Sequence, residues 1–97
     1  MKTVAMTNET VNEMAKVAYG EGAYVTVHEE MDTDVVIVMN GDKITRIVEL
    51  EDAMLEFGKV FNQKFVSYRA VFLGELGFGY AFEVDEIYVP EVQKTCA

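Results

Sequence analysis

Val35-Val36-Ile37-Val38-Met39-Asn40-Gly41 is the stretch on which the reading of the chain turns. Five successive apolar residues, four of them β-branched, are too few for a buried helix and have the character of a strand covered on both faces. Asn40-Gly41 then offers the positive-φ residues of a tight hairpin turn, so Lys43 to Val48 is expected to return antiparallel. Upstream, Ala23 to His28 is rich in β-branched and aromatic residues and sets Val25 and Val27 opposite Tyr24, Thr26 and His28, which predicts another strand.

Helices are expected on either side of these strands. Val11, Met14, Ala15 and Ala18 recur at helical spacing, Thr10 and Glu13 fit a capping box and Gly20 is a stop, which predicts a first helix over about Thr7 to Tyr19 after a short leader. Leu50, Ala53, Met54, Phe57, Val60 and Phe61 form the stripe of a second helix, with Glu49, Glu51 and Asp52 at its positive end. Beyond it, Phe65 to Leu73 and Tyr80 to Val89 flank Gly74-Glu75-Leu76-Gly77-Phe78-Gly79 and predict a second antiparallel hairpin. Its last strand sets Tyr80, Phe82 and Val84 against Glu83 and Asp85. The expected fold is therefore α+β: a five-stranded, mainly antiparallel sheet with two helices packed on one face, in the order α-β-β-β-α-β-β.

Composition is consistent with one folding unit. The chain has 97 residues, 51% of them hydrophobic, with one proline and no low-complexity linker, so residues 1–97 read as a single domain with short flexible termini. The longest apolar run is five residues, far short of the roughly 20 that a membrane-spanning helix needs, and no signal-peptide core develops after Met1. The cytoplasm of a bacterium or of a host cell is the expected location. Cys96, the only cysteine, lies next to the C-terminus and is read as a free thiol.

Each candidate for chemistry has a plainer structural reading. His28 is the sole histidine and lacks the partners of a triad or a metal site. Glu29-Glu30-Met31-Asp32-Thr33-Asp34 is acidic enough for a hard cation, but a calcium loop begun at Asp32 places Val36 at its fifth position and Ile37 where glycine is required. An acidic turn is the better account. The spacing Gly74-x-x-Gly77-x-Gly79 suggests a phosphate loop, yet a strand follows it rather than a helix, so the glycines read as turn residues with Leu76 and Phe78 at an apolar tip. The aromatic residues from Phe57 to Tyr88 have only Lys59, Lys64 and Arg69 beside them, too few cations for base stacking along a nucleic acid. These readings lead to the expectation of no enzyme, no cofactor and no metal.

Charge is the most unusual feature. The net charge is −9, and Glu29 to Glu56 holds nine acids against Lys43 and Arg46, a net −7. Direct nucleic-acid or anionic-membrane binding is disfavoured, because no counterion release or attraction would drive it. The expected partner is a basic protein surface, that of a nucleic-acid-binding protein, and the candidate partner-binding residues are Glu29, Glu30, Asp32, Asp34, Glu49, Glu51, Asp52 and Glu56. In size and charge the chain resembles phage-encoded inhibitors that mimic nucleic acid; the likeness rests on no motif and assigns no residue a role. The alternative expectation is a structural or assembly module that self-associates, as in a homodimer, through a sheet edge or face, its acids serving solubility.

Overall fold

The structure is a computed structural model that describes residues 2–87. Its elements run β1 (Lys2–Thr7), α1 (Asn8–Tyr19), β2 (Ala23–His28), β3 (Thr33–Asn40), β4 (Lys43–Glu49), α2 (Leu50–Phe61), β5 (Gln63–Phe72) and β6 (Phe78–Ile87), with a 3-10 turn at Gly74–Leu76. The fold is α+β, as expected, but six strands form two three-stranded antiparallel sheets, ordered β1-β6-β5 and β2-β3-β4. The single five-stranded sheet is thus corrected. The expected leader is strand β1, whose Lys2 to Thr7 pairs with Val84 to Gly79 of β6. That partner lies some eighty residues away, and six residues with half-exposed alternation carry no local sign of it.

Helix α1 begins where β1 ends. Thr7 is its N-cap and accepts a hydrogen bond from the Thr10 amide at 3.2 Å, so the cap lies one turn before the expected Thr10-Glu13 box. Gly20 closes the helix with φ 113°. Helix α2 stops at Asn62, which takes the left-handed conformation and turns the chain directly into β5. This reversal explains Gly58 within the helix, because a Cβ there would collide with the Gln63 carbonyl.

One core joins the layers. It gathers Val11, Met14 and Ala15 from α1, Leu50, Ala53, Met54 and Phe57 from α2, Ala23 and Val36 from one sheet, and Phe65, Tyr80, Phe82 and Val84 from the other. Helix α1 packs chiefly on β2 and also meets β6, while α2 packs chiefly on β5 and also meets β3 and β4, so the helices serve both sheets rather than one face of one. The α2 stripe is buried through Phe57 but Val60 is 43% exposed, since it falls in the last turn at the margin of the stripe. Val35 to Met39 belongs to the central strand of its sheet, with Val36 and Val38 toward the core and Val35 and Ile37 on the opposite face. Asn40 pairs with Lys43 as the last rung of the β3-β4 ladder. The loop is therefore Gly41-Asp42, with positive φ (63°) at Gly41 alone, one residue later than the sequence suggested.

The glycine-spaced segment also divides. Gly74 and Gly77 are turn residues with φ 66° and 81°, whereas Gly79 lies in β6. A Cβ at Gly79 would meet the Met6 carbonyl of β1. The expectations for Tyr88, Val89 and Cys96 lie outside the described residues.

Candidate functional site

The acidic candidates come from the β2-β3 turn, the start of β3, the α2 N-cap and the first turns of α2. The His28–Thr33 turn, with Asp32 at φ 49°, carries Glu29, Glu30 and Asp32, all exposed. Asp34, two residues into β3, is half-buried and accepts a hydrogen bond from the Tyr80 hydroxyl of β6 at 2.8 Å. It therefore ties one sheet to the other, a role that the expected partner-binding set did not anticipate.

Tyr68 of β5 lies beside this joint, with its ring 5.7 Å from that of Tyr80. Burial raises the Tyr68 pKa above its ordinary value, the charges of Asp34, Glu51 and Glu49 raise it further, and a hydrogen bond with Thr33 opposes them. Three candidates from β3, the α2 N-cap and the first turn of α2 thus act on one hydroxyl. The Tyr80 pKa is raised too, by burial first and then by its hydrogen bond to Asp34.

Asp52 and Glu56 point their influence elsewhere. They act on Tyr19 of α1, whose pKa is raised by burial and lowered in part by Arg46, the guanidinium of which sits 5.4 Å above the Tyr19 ring. Glu56 also pairs with Lys59 at 3.6 Å. Glu49 and Asp52 share a groove of ≈560 Å³ with His28 and Met31 from the β2-β3 turn, which brings the start of α2 next to that turn. His28 is half-buried there, its Nδ1 enclosed without a hydrogen-bond partner. Among the described residues no three His, Cys, Asp or Glu side chains converge as metal ligands. No described helix is long and apolar enough to cross a membrane.

Two apolar surfaces are prominent besides the acids. At the β5-β6 tip Phe72, Leu76 and Phe78 are 67–71% exposed, and the two phenyl rings meet edge to face at 5.2 Å. Leu76 and Phe78 were legible from their glycine-bounded loop; Phe72 was not, because it reads as the end of a strand. On the face of β2-β3-β4 turned from the core, the register lines up Tyr24, Ile37 and Ile47 in one row and Met39 with Ile44 in another. Tyr24, Ile44 and Ile47 are about half exposed, whereas Ile37 between Tyr24 and Ile47 is buried at 8%. Searching found no family model, curated protein or solved structure that matches the chain.

Proposed function

We propose that this is a non-enzymatic binding protein whose acidic surface engages a basic, nucleic-acid-handling protein, its carboxylates occupying positions that phosphates would otherwise take. The observation that carries the reading is that Glu49 and Asp52 line one groove with the β2-β3 turn that bears Glu29, Glu30 and Asp32. Asp34 anchors this surface through Tyr80, and Glu29, Glu30, Asp32, Glu49, Glu51 and Asp52 present exposed charge to a partner. A summed field of one sign steers a basic partner toward it and works mainly through the association rate. The test is capture of basic proteins on immobilised protein at low and high salt, followed by competition with double-stranded DNA for each captured partner. Salt-sensitive capture that DNA displaces supports the reading; capture indifferent to both contradicts it.

A second reading, self-association as an assembly module, is favoured by a separate observation. Exposed Tyr24, Ile44 and Ile47 place apolar side chains on one face of the β2-β3-β4 sheet, on a chain of net charge −9. Here the acids would serve only to keep the free protein in solution.

A further inference from the structure

The geometry points to a head-to-tail contact in which the β5-β6 tip of one molecule enters the groove between α2 and β5 of a second copy. This rests on the self-association reading but places the contact on surfaces other than the β2-β3-β4 face. The tip is a built shape. Leu73 N–H donates to the Gly77 carbonyl at 2.7 Å and Gly77 N–H to that of Gly74 at 3.0 Å, so the turn holds Leu76 out beside the Phe72-Phe78 pair. Glu75 is the one charged residue from Ala70 to Ala81.

The groove complements it in size and charge. It has a volume of ≈430 Å³, Met54 and Phe65 are buried beneath it, Leu55 is an exposed lip, and Lys59 and Lys64 flank it. That volume falls within the range of about 300–1,000 Å³ in which clefts enclose apolar groups. Glu56 also lines the groove, but with Lys59 and Lys64 beside it the lining is net +1 on a chain of net charge −9, so an acidic copy meets less repulsion there and Glu75 meets opposite charge. Lys59 and Lys64 are already 3.6 Å from Glu56 and Asp85, but their side chains are 74% and 71% exposed. Each ammonium has three N–H groups, so a second carboxylate can be accommodated.

Knob and groove lie at opposite ends of one hairpin. Phe72 pairs with Phe78 at the tip and Gln63 with Ile87 at the open end, a separation of roughly 30 Å at about 3.3 Å per residue. A molecule therefore does not fill its own groove, and the contact uses different surfaces on the two copies, which lets it propagate. A contact of one tip in one groove is small, so association should be weak and concentration-dependent.

Sedimentation of the full chain over rising concentration tests this. The average mass should climb above the monomer for the native sequence, and both the Leu76→Asp/Phe78→Asp variant and Leu55→Asp should remain monomeric while circular dichroism shows them folded. Mixing these two should yield a dimer and nothing larger, because the mixture offers one intact tip and one intact groove per pair. Glu75→Lys should weaken association several-fold, and combining it with Lys59→Glu and Lys64→Glu should restore it. If the native protein associates and the tip and groove variants associate equally, the self-association reading stands and this contact is wrong. A native protein monomeric at every concentration overturns both.

Discussion

The Tyr80 hydroxyl and Asp34 meet at 2.8 Å across the two sheets, and this bond has a pH signature. Burial and the neighbouring carboxylate raise the folded-state pKa of Tyr80 above the ordinary tyrosine value, and Tyr68 and Tyr19 shift the same way. A raised folded pKa means that the folded state holds protons the unfolded chain releases near pH 10. These tyrosines therefore contribute fully below about pH 10, and their contribution falls as pH rises toward the folded pKa values. Urea unfolding between pH 8 and pH 11 should show stability declining at the alkaline end, less steeply in Tyr80→Phe; equal slopes would refute the assignment. Asp34→Ala should cost about 1–3 kcal/mol by leaving the hydroxyl unpaired, with Asp34→Asn milder because its carbonyl still accepts. Phe57, fully buried between the layers, should cost about 3–5 kcal/mol when cut to alanine, and a loss a tenth of that in thermal or urea unfolding would displace it from the core.

Elements with a local signature were legible before their packing was known. The α2 stripe, the β3 run and the glycine-containing β3-β4 turn all come from side-chain period or backbone preference, which neighbouring residues encode. Strand β1 was not legible, because its evidence is the ladder to β6 at the far end of the chain. The same holds for the division into two sheets: alternation shows which face of a strand is buried but not which edge meets which. Gly58 shows the two levels in conflict and supplies a sharp test. In an open helix Gly→Ala stabilises by about 1 kcal/mol. Here the added Cβ meets the Gln63 carbonyl at the α2-β5 reversal, and overpacking of that kind costs about 1–3 kcal/mol. Gly58→Ala should therefore be neutral at best and more often destabilising in urea unfolding; a full stabilisation would mean that the reversal is looser than described. Gly41→Val, forcing a β-branched residue to φ 63°, should cost about 1–3 kcal/mol by the same measurement.

Across the whole molecule, acids that are regional in the sequence are distributed unevenly in the structure. Asp34 turns inward to Tyr80, Glu49 and Glu51 act on Tyr68, and Asp52 and Glu56 act on Tyr19 beside Arg46. Sequence position alone did not distinguish the inward carboxylate from the exposed ones, since a hydroxyl 46 residues away decides it. Single exposed charges are worth about 0–1 kcal/mol, so the summed field is tested by pairs. The most direct measurement is the affinity and association rate for a captured basic partner of Glu29→Lys/Glu30→Lys and Glu51→Lys/Asp52→Lys, against a control pair at exposed Glu9 and Glu21, at ~50 and ~200 mM salt, the latter bringing the screening length below ~10 Å. The acidic-surface account predicts slower association for both patch variants than for the control, and weaker native binding at the higher salt. Equal binding by patch and control variants, with no salt dependence, would contradict it.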